Sequence, residues 1–423
     1  MSERQRSTLA ALIFAMFGFV QGDGGIAAQT PDPIAEGRTL RDAGHFEAAA
    51  HALDTYLARN PNDNGTRWFH AQLLDWAGMR RDARHEYETL LSNTAPGDAA
   101  ADSIRRYIAN LSDSWAGITA SGTTDDQKLQ SAGASVQVGR FISNSTALLV
   151  DATMSQLDAD RSSTAIDEAL RVTRTTAAAE ARYNHNRIAA GAAIGIDRAT
   201  GSSNNASRNS DLLTGSLWGT VDLGTSHVMV TAAHGRSGYY YTVASLSTPV
   251  AVTASELGVE REHAAGITGR AAVRREHYEG NTTNIAYAWI LSPSMGGFRG
   301  GYAFDYRDAT ASTWNGDSYA PYYTPENVRV HSLISAWSWA GLRTAAQANA
   351  SVGIHATEDA PYLLNPGGNR IGFEKRSYTP WSAGATVTWR MMWRTSLNAR
   401  VSHSTTAFYS STAAQLGTSL LIR

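Results

Sequence analysis

The sequence has no cysteine. Disulfides, thiolate metal sites and cysteine nucleophiles are therefore excluded. Charge is also scarce, at 17% of 423 residues, and nearly balanced, with Lys+Arg 36 against Asp+Glu 38. That balance argues against nucleic acid as a partner, because a nucleic-acid binder needs a basic surface. After Val20 no apolar run approaches the ~18–20 residues that a membrane helix needs. Even so, mean hydropathy is −0.29. With so few charges, the polarity comes from Ser, Thr, Asn and Gly, and it sits beside 11 Trp and 17 Tyr.

The amino terminus reads as an address. Arg4 and Arg6 precede an apolar run from Leu9 to Val20, and Ile26-Ala27-Ala28 offers small residues for cleavage. Residues 1–28 are expected to be a signal peptide, and the mature chain an exported one.

Residues 29–112 show apolar residues at helical spacing and repeat with a period of 34: Leu40 and Leu74, Gly44 and Gly78, Ala49 and Ala83, Leu57 and Leu91. The glycines suit turns between paired helices, the alanines close crossings, and Pro61 and Pro96 stop the second helix of each pair. This predicts a small all-α domain of tetratricopeptide-like repeats, with a partial unit over Asp98–Leu111. Such modules bind proteins. Trp68, Trp76 and Tyr87 are the candidates for partner contact, although aromatics at helical spacing are more often core.

From residue 113 to 423 the period changes to two. Val387, Trp389, Met391 and Trp393 alternate with Thr386, Thr388, Arg390 and Arg394. Phe298, Tyr302, Phe304 and Tyr306 alternate with Arg299, Asp305 and Arg307. Ile285, Tyr287, Trp289 and Leu291 share one face, as do Trp337 and Trp339, and Leu148, Val150, Ala152 and Met154. Strands of about ten residues with one apolar, aromatic-rich face and one polar face predict a transmembrane antiparallel barrel. The apolar face would meet lipid and the polar face a lumen. A secreted β-sandwich is the alternative. About sixteen strands fit. Gly201–Asp211, Ala311–Glu326 and Ala360–Lys375 are expected as long loops. The terminal Leu420-Leu421-Ile422-Arg423 lacks the aromatic that often ends such barrels.

Two stretches carry a resemblance. Leu73-Leu74-Asp75-Trp76-Ala77-Gly78, followed by Asp82-Ala83-Arg84-His85-Glu86-Tyr87, looks like a YaiO-type repeat. Tyr322-Tyr323-Thr324-Pro325-Glu326 looks like a segment of the cellulose-export barrel. The layout resembles outer-membrane exopolysaccharide-export porins of the cellulose synthase C type, and the compact YaiO-like barrels more than the large exporters. The resemblance implies a channel in the outer membrane of a Gram-negative bacterium. It further implies a periplasmic helical domain docking polysaccharide synthesis or export proteins, and a polysaccharide as cargo.

No Gly-x-Ser-x-Gly, His-Glu-x-x-His, phosphate loop or Gly-x-Gly-x-x-Gly occurs. No catalytic residue, metal or cofactor is expected. The pore-lining candidates are Arg299, Asp305, Arg307, Arg390 and Arg394; the loop candidates for glycan contact are Trp314, Tyr319, Tyr322 and Tyr323. Two other functions are open. One is an interaction barrel with a plugged lumen. The other is a barrel enzyme acting on lipid or glycan, using His234 with Ser237 or His403 with Ser402.

Overall fold

The computed structural model describes residues 32–422 except 96–97, 161–168, 203–206, 225–227, 264, 311–320, 342, 364–370, 393 and 407–408. The expected signal peptide lies outside the described residues. Five helices come first: α1 Pro33–Asp42, α2 Phe46–Arg59, α3 Asn64–Trp76, α4 Arg80–Ser92 and α5 Ala99–Asn110. Their starts are written in the chain. Asp32, Asp63 and Asp98 cap α1, α3 and α5 by accepting backbone N–H groups, and Pro33 takes a first-turn position where no N–H is needed. Gly44 and Gly78 turn the chain between helices with φ of 72° and 78°, a conformation that side chains resist. Ala49 and Ala83 are fully buried where paired helices approach. The core joins Leu53, Leu73, Leu90 and Ile104. At its centre, Tyr87 stacks on Tyr107 at 5.0 Å while Trp68 meets both rings edge-on.

The strands follow: β1 Ser114–Asp125, β2 Leu129–Phe141, β3 Thr146–Ala159, β4 Leu170–His185, β5 Ile188–Ser202, β6 Ser207–Asp222, β7 Val228–Tyr239 and β8 Val250–Glu262. Then come β9 Thr268–Tyr278, β10 Asn281–Leu291, β11 Phe298–Ala309, β12 Val328–Ala340, β13 Thr344–Leu363, β14 Ile371–Tyr378, β15 Trp381–Met392, β16 Thr395–Thr405 and β17 Ser410–Ile422. A five-residue helix, α6 Val243–Ser247, lies between β7 and β8. Each strand pairs antiparallel with its neighbours, and β1 pairs with β17 from Ser114↔Ile422 to Asp125↔Ser411, which closes the sheet. Both β14 and β15 pair with β13, end to end, so they form one stave interrupted at Pro380. Proline has no N–H for the ladder. The result is a closed barrel of sixteen staves. Closure leaves no sheet edge, as a membrane-spanning sheet requires.

Register partners share a face, which tells inside from outside. Ile118, Val136, Ala152, Ala177, Ile196 and Leu213 lie in one register row across β1 to β6. Ile118, Val136, Ile196 and Leu213 are 46–64% exposed. So much bare apolar surface belongs outside, against lipid. Toward the rim that carries both barrel termini, Tyr183, Phe298, Trp337, Trp339 and Trp389 are also exposed on this face, as an interfacial girdle demands. We call this rim proximal and the opposite one distal.

One face assignment from the sequence is reversed. Tyr287 and Trp289 point into the lumen, since the Tyr287 hydroxyl donates to Glu256 at 2.8 Å, while Ile290 is 50% exposed outside. Alternation gives the period but not the sign, and on β10 the aromatic face is the inner one. Two expected loops are also largely strand: β5 runs to Ser202 and β6 begins at Ser207, and Ala360–Leu363 and Ile371–Lys375 belong to the long β13–β14 hairpin.

Candidate functional site

The lumen wall is built by every second residue of each stave. On β12 to β17, β1 and β2 it consists mainly of hydroxyls, amides, glycine and alanine, many bridging neighbouring strands. Thr123 meets Ser131 at 2.7 Å, Ser351 meets Ser382 at 2.7 Å, Ser396 meets Ser419 at 2.6 Å, and Thr388 donates to Asn398 at 2.8 Å.

Charge concentrates on β8 to β11. Arg270 reaches Glu256 at 3.0 Å and Glu260 at 3.7 Å; Arg274 reaches Glu276 at 2.8 Å and Glu256 at 3.7 Å. The Arg270 guanidinium also lies 5.9 Å from the Tyr287 ring centroid. Asp305 pairs with Arg307 at 2.7 Å on the next stave but one. The four-residue spacing of Glu256 and Glu260, and of Arg270 and Arg274, keeps each pair on one strand face. That even spacing was the available signal for this ladder, which the sequence-based candidates missed. A smaller charged group holds Arg182, Glu180 and the Trp218 indole, which donates to Glu180 at 3.1 Å.

The five expected pore residues divide. Asp305 and Arg307 face inward on β11, paired with each other. Arg299 is spent on the proximal rim, donating to the Ser292 carbonyl at 3.0 Å and to the Thr268 hydroxyl at 2.8 Å. Arg390 also sits at that rim, 3.4 Å from the Asn110 side chain of the helical domain. Arg394 lies in the β15–β16 turn, where its carbonyl accepts from Leu421.

The distal mouth is partly filled from within. The segment carrying Tyr240, Val243 and Leu246 packs against inward residues of β2 to β5, including Leu157, Val172 and Ala199. Tyr240 is held by the ring of Arg174–Asp197 contacts: Arg174 binds Asp197 at 2.8 Å and stacks 4.5 Å from the Tyr240 centroid. A second segment joins it. Tyr322 stacks on Tyr278 at 4.2 Å, the Tyr323 hydroxyl donates to Glu358 at 2.5 Å, and Thr242 donates to the Pro321 carbonyl at 2.6 Å. Tyr322 and Tyr323 are thus anchored to the mouth. Burial and the Glu358 carboxylate push the Tyr323 phenol up, so it remains a donor. Glu326, beside them, is raised to about 7 by burial and then by the carboxylates of Asp308, Asp359 and Glu358. Trp314 and Tyr319 lie outside the described residues.

At the proximal rim the helical domain is fastened to the β2–β3 and β4–β5 turns. Arg187 donates through Nε to the Gly44 carbonyl at 2.9 Å and through its amino group to the Ala43 carbonyl. His185 faces Glu47 at 3.3 Å, the Asn186 N–H donates to Ala77 at 2.8 Å, and Asn144 bridges Asp82 and the Arg81 N–H. The two glycine turns of the repeat are therefore the docking surface on the barrel. Of the three partner candidates, Tyr87 is 0% exposed, Trp68 packs on it in the core, and Trp76 is 47% exposed beside Phe46. Trp68 and Tyr87 fell inside because they sit on the face that α3 and α4 turn toward each other and α5.

His234 and Ser237 lie three residues apart on β7, and Ser402 and His403 are adjacent on β16. On a strand such pairs point to opposite faces. His234 instead meets Ser255 at 2.8 Å outside, and His403 stacks on Trp381 at 4.5 Å.

No family model matches the sequence, and no curated protein matches it. The fold does have solved counterparts. A bacterial polysaccharide outer membrane secretin superposes with a TM-score of 0.50 at 10% identity, covering 73% of this chain and 98% of that one. The CymD monoaromatic hydrocarbon channel gives a TM-score of 0.43 at 11% identity, covering 78% and 94%. The chain has the fold of the outer-membrane β-barrels: a closed sixteen-stave antiparallel barrel with a small helical part at its amino-terminal side.

Proposed function

We propose that this protein is an outer-membrane channel assisting export of an exopolysaccharide, with its tetratricopeptide-like, YaiO-type helical domain docking export partners in the periplasm. The observation that carries this is the lumen wall. Barrels of 16–18 strands leave an aqueous channel. Here, hydroxyls and amides cover much of the wall, while Arg270, Arg274 and Arg307 are each paired with a carboxylate of the same wall. A wall of this kind exchanges hydrogen bonds with a neutral hydroxylated polymer and holds it nowhere strongly. Inward Tyr287, Trp289 and Trp218 offer ring faces to pyranose C–H surfaces. The secretin with the same fold is named for polysaccharide, in keeping with this function. Trp76 is the exposed aromatic available to a periplasmic partner. Deleting the gene in its host is expected to abolish extracellular polymer while polymer accumulates inside the envelope. Undiminished secretion would refute the proposal.

A second function is favoured by one observation, the inward fold of the β7–β8 and β11–β12 segments. If these never leave the mouth, the protein is an interaction barrel with a plugged lumen. Secretion would then survive in a variant whose segment is cross-linked to the wall.

A further inference from the structure

The outer wall carries a feature that transport through the lumen does not use. On β7 to β10 every acid among the described residues faces inward: Glu256, Glu260, Glu262 and Glu276 share the lumen face with Arg270 and Arg274. Arg236, Arg275 and His277 alternate to the outside and are exposed. The register sets them side by side, Arg236↔Thr253↔His277 in one row and His234↔Ser255↔Arg275 in the next. Two outward arginines elsewhere are matched with acids, Arg171 with Asp158 at 2.8 Å and Arg198 with Asp211 at 2.7 Å. On β7 to β10 the outer wall offers cations and hydroxyls; the outward carboxylate of that row is Asp308 on β11, beyond Asn284.

Arg275 and His277 lie within three residues of the distal end of β9, and Arg236 within three of the distal end of β7. That is the level at which a membrane-spanning strand leaves the hydrocarbon. The second row continues the other way as Leu217, Ala192 and Ala181, descending toward the proximal end of β4. There the small side chains of Ala181, Ala190, Ala192, Gly219 and Ala232 open a groove of ≈ 560 Å³ on the lipid side, running from Thr146 and Tyr183 near the proximal rim up to His234 at mid-height. The upper end of this apolar trough thus lies beside the basic cluster, in the row of Arg275.

We propose that this surface binds a phosphorylated lipid of the distal leaflet, with its phosphate on Arg236, Arg275 and His277 and one acyl chain in the groove. Guanidinium groups suit phosphate because they donate in a fixed fork, and those bonds are strongest at a membrane interface poor in competing water. Lipids of that leaflet point their chains from the distal rim toward the barrel's middle, where the upper end of the groove lies. The proposal rests on which wall faces lipid and is independent of what passes through the lumen.

The test is native mass spectrometry of the full chain released from detergent. It is offered lipid A carrying its phosphates, the same lipid after phosphatase treatment, or inorganic phosphate as competitor. Retention of the phosphorylated form over the dephosphorylated form is expected. Arg236→Gln with Arg275→Gln should weaken retention about tenfold, as the loss of charged hydrogen bonds implies. Ala192→Trp should weaken it by filling the groove. Arg171→Gln, at a paired outward site, should leave it unchanged, and all variants should keep the wild-type β-sheet circular dichroism. Equal retention of both lipid forms, or wild-type retention by the double variant, would overturn the proposal. Displacement of the lipid by an equal concentration of inorganic phosphate would overturn its lipid half, leaving only an anion site.

Discussion

Glu326 makes the seating of the distal segment depend on pH. In the docked segment its carboxyl is raised to about 7 by burial, then by Asp308, Asp359 and Glu358; an unfolded or swung-out segment would hold it near the ordinary 4.5. The sign follows directly. A raised carboxyl means that the docked form binds more protons, so docking carries no penalty below the free value. The penalty grows from about pH 4.5 and is complete above about pH 7. A shift of that size corresponds to about 3 kcal/mol if fully felt. Glu326 is only partly buried, so solvent screening reduces this to about 1–1.5 kcal/mol, or roughly a tenfold change in the docked fraction between pH 5 and pH 8. Two backbone bonds report on docking, the Ala309 N–H to Pro325 at 2.7 Å and the Asp359 N–H to Glu326 at 3.0 Å. Amide hydrogen exchange at these positions, corrected for its intrinsic pH dependence, should show protection falling as pH rises. Glu326→Gln should remove the trend and keep the segment docked at pH 8. Equal protection at both pH values in the wild type, or an unchanged trend in Glu326→Gln, would refute the reasoning.

Other outcomes follow from the same contacts. Arg187→Ala removes two bonds to helix-end carbonyls and should loosen the helical domain from the rim by about 2–3 kcal/mol, seen as faster proteolysis near residue 113 with the barrel intact. Tyr87→Ala should cost the helical domain about 3–5 kcal/mol and unfold it, whereas Trp76→Ala, on the surface, should cost under about 1 kcal/mol and leave it folded by circular dichroism. Glu256→Gln removes one of the four inward acids that share the wall with Arg270 and Arg274 and should make bilayer conductance less cation-selective, measured as a reversal potential in a salt gradient.

The barrel was legible because the outer face must be apolar over its whole width, which forces a two-residue period that any single strand displays. The helical hairpins were legible because Gly44 and Gly78 need positive φ and recur with the repeat. What alternation cannot supply is the sign of a face when both faces are semi-polar. On β10, alanines suffice against lipid, so Tyr287 and Trp289 could go inward to meet charge. Even spacing puts Glu256 with Glu260 and Arg270 with Arg274 on one face each, but which carboxylate meets which guanidinium depends on the β8–β9 register, which no local pattern records. Rim duties of Arg299, Arg390 and Arg394 were hidden for another reason: a polar face says nothing of depth along the strand. The mouth segments are set by long-range packing, Leu246 against Leu157 and Tyr322 against Tyr278.

The most direct test of the central claim, a channel whose distal mouth is covered by its own inward-folded segments, is single-channel recording in planar bilayers. The full chain is compared at one pH with a variant in which residues 241–248 are replaced by a short glycine-serine link. The account predicts small, intermittent conductance from the first and a large, steady conductance from the second. Absence of conductance in both would contradict it.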